Sequence, residues 1–139
     1  LMISPKVFRE CFKENMKHAA STITKPWIFH SDGNYQPLLD DIIDIGANAI
    51  HPIERTAMDS KWLKENYGKK LCLVGNVDID YVLSSGSIEE VEEDVKSRIE
   101  LFGPGGGYII SDSNSIPSSC KPENVMAMGK AVQKYRHIY

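Results

Sequence analysis

His30 and Asp32 stand two residues apart in His30-Ser31-Asp32-Gly33-Asn34, directly after the apolar run Trp27-Ile28-Phe29. In an extended segment residues two apart share a side, so both side chains are placed to face one pocket. An imidazole near neutral pH moves a proton or ligates a metal. Asp32 is open to three roles: a carboxylate ligand, a base, or a cap for a helix beginning after Asn34. Glu54 follows His51-Pro52-Ile53 after a second apolar run, Ala47-Asn48-Ala49-Ile50. A carboxylate there suits metal binding, a cationic group or acid–base work. The plainer alternative is a salt bridge to Arg55, Lys61 or Lys64. His51 lies farther back along its run and reads as a satisfied core histidine. A third run, Leu71-Cys72-Leu73-Val74, leads into Gly75-Asn76-Val77-Asp78, which offers a close backbone approach, an amide and a carboxylate. Asp78 or Asp80 is alternatively a turn cap. A fourth, Tyr108-Ile109-Ile110, leads into Ser111-Asp112-Ser113-Asn114-Ser115. The candidate catalytic residues are therefore His30, Asp32 and Glu54, which are also the candidate metal ligands. Asn34, Asn76, Asp78, Ser111 and Asn114 are the candidate substrate-binding residues.

The elements that must carry these residues are legible. Ser4-Pro5 is a helix start, and Val7, Phe8, Cys11, Phe12 and Met16 recur at helical steps, which predicts a helix from Pro5 to about Ile23. Lys25-Pro26 breaks it. Strands are expected over about 26–30, 48–52 and 70–75, and a fourth over Tyr108–Ile110. Between them, helices are expected over about 35–45 (Leu38, Leu39, Ile42 and Ile43 inward) and 59–67. Gly46 and Gly68 are read as left-handed caps. Ser87 and Glu90 form a capping box, followed by Val91, Val95 and Ile99 on one face. Glu89, Glu92, Glu93 and Asp94 are read as the solvated side of that helix. Gly103 ends it, and Gly105-Gly106-Gly107 is a structural turn into the fourth strand. A last helix starts near Pro122 with Val125, Met126, Met128 and Val132. Apolar strands that do not alternate favour a parallel sheet under helices. The fold class is α/β: half of a TIM-type (βα)8 barrel, four parallel βα units preceded by one helix. It forms one domain over 1–139, and its polar loops sit at the strand C-termini, where barrel chemistry lies.

A chain of 139 residues with 42% hydrophobic and 25% charged residues has the composition of a globular domain with its own core. A net charge of −3 speaks against a nucleic-acid surface. No apolar run is long enough for a membrane span, and no signal-peptide pattern opens the chain. Leu1 before Met2 argues against position 1 as a natural initiator, which leaves a processed piece or a part of something longer open. Three cysteines without CxxC spacing suggest reduced thiols and a cytoplasmic setting.

In order and spacing, these loops resemble the C-terminal half of the uroporphyrinogen decarboxylase family. The matching stretches are Phe29-His30-Ser31-Asp32-Gly33-Asn34, Asp44-Ile45-Gly46-Ala47 through His51-Pro52-Ile53-Glu54, and Tyr67-Gly68-Lys69-Lys70-Leu71 into Val74-Gly75-Asn76-Val77-Asp78. Gly103-Pro104-Gly105-Gly106-Gly107-Tyr108 and Ile116-Pro117 up to Pro122-Glu123-Asn124-Val125 complete the set. The resemblance implies a (βα)8 barrel and either tetrapyrrole decarboxylation in porphyrin biosynthesis or cobamide-dependent methyl transfer. It implies a tetrapyrrole or corrinoid-type small molecule as partner. One branch uses a zinc site with a His-x-Cys motif and a later cysteine: His30 matches the histidine, but Asp32 and Asn114 stand where the thiols would be. In the other branch a histidine of the last-strand loop is matched by Asn114, and basic residues of an N-terminal half hold the substrate. Two readings of a different class stand beside this one. A non-catalytic half barrel would bind a ligand or close as a homodimer, unless a separate N-terminal half completes it. A hydrolase or lyase would use zinc, manganese or iron on His30, Asp32 and Glu54.

Overall fold

The computed structural model describes residues 3–138. Four parallel strands, β1 (Ile28–His30), β2 (Ala49–His51), β3 (Cys72–Val74) and β4 (Tyr108–Ile109), form one sheet in the order β1-β2-β3-β4. Each is followed by helix, as the alternation of apolar runs and amphipathic segments requires. The chain opens with α1 (Pro5–Val7), a π turn (Phe8–Phe12) and α2 (Lys13–Ala20). A 3-10 turn (Gln36–Leu38) leads into α3 (Leu39–Asp44). Then come α4 (Ser60–Tyr67), α5 (Ile88–Phe102) and α6 (Pro122–Tyr135).

Local chemistry explains most boundaries. The Ser4 hydroxyl accepts from Val7 N–H, and Pro5 takes the first helical position. Asp59 caps α4 by accepting from Trp62 N–H. Ser87 and Glu90 make both bonds of the capping box on α5. The first helical stretch stops at Ala20, three residues short of the expected end, and its register widens at Phe8–Phe12. Gly46 is left-handed at φ +97°. Gly68 is not: its φ is −62°, and a Cβ there would come within 2.6 Å of the Lys64 carbonyl. It is glycine for lack of room, not for handedness.

The register divides the sheet into two faces. Phe29, Ile50, Leu73 and Tyr108 align in one row across all four strands. That row packs with Leu38, Leu39, Ile42, Leu63 and Phe102 in the larger core cluster. Each fully buried Leu or Ile there contributes roughly 1.5–3 kcal/mol. A second cluster, Val77, Leu83, Val91, Val95, Ile99 and Ala127, joins α5 and α6 to the loop after β3. The alternating residues point away from the helices. Among them, Ile28 and Ile109 are each 50% exposed. That face is exposed at the edge strands β1 and β4, while Ala49 and Val74 on the two inner strands are buried. This is half of a (βα)8 barrel.

One charge departs from the expected pattern. Asp94 does not lie on the solvated side of α5 but is buried, 9% exposed, and receives the Arg55 guanidinium at 2.7 and 2.9 Å. It shares the apolar stripe with Val91 and Val95, and only an ion pair makes a carboxylate tolerable there.

Candidate functional site at the strand C-termini

The site begins with His30 and His51, which register pairs as neighbours at the ends of β1 and β2. Their Nδ1 atoms are 2.8 Å apart, and their ring centroids 4.9 Å. His51 is therefore not a satisfied core histidine; it is half-buried at the mouth, in contact with the residue expected to do chemistry. The sequence held a signal for this. Both histidines are the first polar residue after an apolar run, so aligned strand ends bring them together.

Asp32 lies on the same side as His30, with Oδ1 3.9 Å from His30 Nε2, as the two-residue spacing requires. It does not cap the following turn. Asn34 does that work, accepting from Gln36 N–H at 3.0 Å. Asp32 instead accepts from the Asn114 side-chain amide at 3.0 Å. β1 and β4 are opposite edges of the sheet, three strand spacings or about 14 Å apart. That bond therefore requires the two end loops to reach toward each other across the strand ends. Asn114 Oδ1 is taken by Ser115 N–H at 2.7 Å, so both ends of its amide are occupied.

Glu54 is half-buried at the same mouth and makes none of the expected ion pairs. Arg55 is committed to Asp94, and Lys64 to the carbonyls of Phe102 and Gly106. Its one polar side-chain partner among the described residues is Thr56, at 3.5 Å. Tyr35 lies beneath, fully buried, and donates its hydroxyl to the Pro52 carbonyl at 2.7 Å. Burial pushes this phenol far up, and the charges of Glu54 and Asp32 push it further. It remains a protonated donor that pins the loop after β1 to the loop after β2.

The remaining candidates hold the loops in place. Asn76 is fully buried; its amide donates to the Ile53 carbonyl at 2.9 Å, and its Oδ1 has no hydrogen-bond partner among the described residues. It bridges the loops after β3 and β2. Asp78 caps its own turn, accepting from Asp80 N–H at 2.9 Å. Ser111 donates to the Asp112 carbonyl at 2.8 Å. Asp112, which the sequence reading passed over, is bridged to Val77 as a parallel extension of the sheet. Burial raises its carboxyl above the ordinary range, and the charge of His51 opposes that shift.

Beside His30 and Asp32 opens a cleft of about 640 Å³. Its walls are mostly apolar: Phe8, Phe12 and Met16 from the N-terminal helices, with Phe29 and Leu38. Size and lining suit a small molecule with an apolar body and few polar anchors.

The donor set does not fit the zinc of the thiol-activating branch. Among the described residues no three His, Cys, Asp or Glu side chains converge as metal ligands. Glu54 does not join His30 and Asp32. The two positions that would need thiols are Asp32 and Asn114, which bond each other. Two hydrogen-bonded side chains without sulfur lack the soft donors a thiolate zinc site uses.

Comparison with known proteins agrees with this architecture. The family model for uroporphyrinogen decarboxylase (URO-D) matches residues 1–135. A curated uroporphyrinogen decarboxylase from Methylococcus capsulatus is 28% identical over 110 residues, which is 79% of this chain and 30% of that protein. A methyltransferase from Methanosarcina mazei superposes with a TM-score of 0.80 at 27% identity, over 96% of this chain and 38% of the other. The chain therefore spans only about a third of the length of these relatives. With its motifs in order and the family model matched almost end to end, this chain belongs to the uroporphyrinogen decarboxylase family.

Proposed function

We propose that this chain supplies one wall of a barrel that acts on a tetrapyrrole or corrinoid-type small molecule, by decarboxylation or by cobamide-linked methyl transfer. The observation that carries the reading is the Asn114–Asp32 bond, which sets a carboxylate and His30 at the lip of an apolar cleft. In a decarboxylation, loss of the carboxyl group leaves electron density on carbon that must be quenched by a proton. In this reading His30 delivers it, and Asp32 accepts a ligand N–H. Arg55, the arginine nearest the mouth in sequence, is engaged by Asp94. Basic anchors for ligand carboxylates would come from the complementary half. Three unpaired thiols, Cys11, Cys72 and Cys120, accord with a cytoplasmic setting.

The test is ligand binding by the full protein, followed optically with uroporphyrinogen under anaerobic conditions and with hydroxocobalamin. His30→Ala and Asn114→Ala are expected to weaken binding of one of them about tenfold, the worth of one hydrogen bond, ~1.4 kcal/mol. Unchanged affinity for both ligands in both variants refutes the site.

A second reading is favoured by the two open edges and the isoleucines exposed on them. Two copies, or this chain and a separate N-terminal half, would close eight strands and hide Ile28 and Ile109. This assembly is compatible with a purely binding role, in which variants change affinity with no turnover.

A further inference from the structure

We infer that His51 is a positioning residue, which donates its Nδ1–H to His30 Nδ1 and so turns an Nε2–H of His30 toward Asp32 and the cleft. The inference rests on the reading above that this mouth is the ligand site. A neutral imidazole carries one donor and one acceptor. Two Nδ1 atoms at 2.8 Å therefore need one N–H and one bare nitrogen between them. Two bare nitrogens would repel, and two N–H groups would collide. Only two arrangements satisfy the contact, and they differ in which ring donates.

Asp32 breaks the tie. Its Oδ1 lies 3.9 Å from His30 Nε2, and the Asn114 amide holds that same oxygen in place. An ionised carboxylate is an acceptor only. It favours an N–H at Nε2 over a lone pair, and an N–H at Nε2 leaves Nδ1 of His30 bare. His51 must then be the donor. The other charged groups around the pair are Glu54, beyond the end of β2, and Asp112, beyond the end of β4 and close enough to sense the charge of His51. Neither makes a hydrogen bond to either ring among the described residues.

The consequence is a specificity rule. His30 offers a hydrogen-bond donor to the cleft rather than a lone pair. It selects ligands that place an acceptor atom, such as a carbonyl or a carboxylate oxygen, beside Nε2. Ligating a metal through that nitrogen would require the proton to leave and the His30–His51 bond to reverse.

The experiment is ¹⁵N NMR of histidine-labelled full protein at about pH 8.5, above the ordinary histidine pKa of about 6.5. Protonated and bare ring nitrogens resonate far apart, so the tautomer is read directly and without any ligand. The expected spectrum shows His30 protonated at Nε2 and bare at Nδ1, and His51 protonated at Nδ1. In His51→Phe the His30 signals should move toward the averaged values of a free imidazole, and His51→Asn, whose amide keeps a donor near Nδ1, should restore them. Asp32→Asn, at an exposed position, should weaken the preference without touching His51. A wild-type His30 protonated at Nδ1 overturns the inference. So does a His30 pattern that Asp32→Asn and His51→Phe both leave unchanged, or one in which zinc displaces the Nε2 proton without perturbing His51. Failure of ligand binding with this tautomer intact would refute the proposed function and leave the tautomer assignment standing.

Discussion

Asp94 and Arg55 form a partly buried ion pair that anchors α5. The carboxylate is buried, and Arg98 stands 4.0 Å away on the next turn, so two guanidinium groups face one acid. Asp94 also accepts from Asp78 N–H at 3.3 Å, which ties α5 to the loop after β3. Asp94→Ala should therefore cost about 3 kcal/mol in urea unfolding, since it strands two partly buried cations. A loss below about 1 kcal/mol would mean that the pair is worth no more than a surface bridge. The spacing made this residue readable as inward-facing, because Asp94 stands three after Val91 and one before Val95. Its charge argued for solvent, and the partner that resolves the conflict is 39 residues away, beyond the reach of any local pattern. His51 was hidden for a related reason. Histidine suits a core or a site equally, and only the strand register brings it to His30. Tyr35 is likewise ordinary in sequence, and its bond to the Pro52 carbonyl, like that of Asn76 to Ile53, is visible only once the loops are folded.

Elements were easier to recognise than contacts, because caps and periodicity are local. Ser87→Ala should lower stability by about 1 kcal/mol, the usual worth of an N-cap, and Glu90→Ala should cost less. Thermal unfolding of the two variants checks the order. Gly107→Ala should be worse than either, since its φ is +68° and a Cβ would sit 2.9 Å from the Gly68 carbonyl. Gly105→Ala has the same strain but open space around it, so the difference between the two variants isolates the steric part. The N-terminal helices are tethered to α3 by charge. Lys13 and Arg9 bond Asp41, and Lys13 and Lys17 bond Asp44. Burial pushes the Asp41 carboxyl up, but its hydrogen bonds to Lys13 and Arg9 outweigh this and hold it low. Lys17 and Lys13 hold Asp44 low, and Asp41 and Asp44 raise Lys13. Carboxylates lowered on folding stabilise above their unfolded pKa of about 3.9 and lose that contribution as pH falls through the folded value. The raised lysine stabilises below about 10.4 and loses its contribution as pH rises through the folded value. Proteolysis of the N-terminal helices should therefore be slowest and nearly flat between about pH 5 and 9, and accelerate on both sides. Acceleration centred near pH 6.5 would assign the tether to histidine instead. The π turn at Phe8–Phe12 was not legible, because the same three- and four-residue steps that signal a helix do not record one widened turn.

The parallel sheet, its order and the half-barrel class all follow from four apolar runs separated by amphipathic segments, and this part of the fold was readable end to end. An occupant for the open edges was not, because an edge strand carries no record of one. Ile28→Asp and Ile109→Asp should leave the circular dichroism of the chain intact while lowering its mass in light scattering, if strands from another polypeptide cover those edges. Unchanged mass in both variants, at every concentration, would leave those isoleucines exposed by nature. The bond from Asn114 to Asp32 spans 82 residues. Contacts so distant in sequence are among the last to form, because the intervening chain must first be ordered. On a ribosome, Asp32 and His30 emerge long before the loop that orients them. The Asp32 carboxylate therefore lacks this partner until the loop after β4 is in place. The Asn114–Asp32 bond is thus a late event in the life of the chain, dependent on completion of the sheet itself.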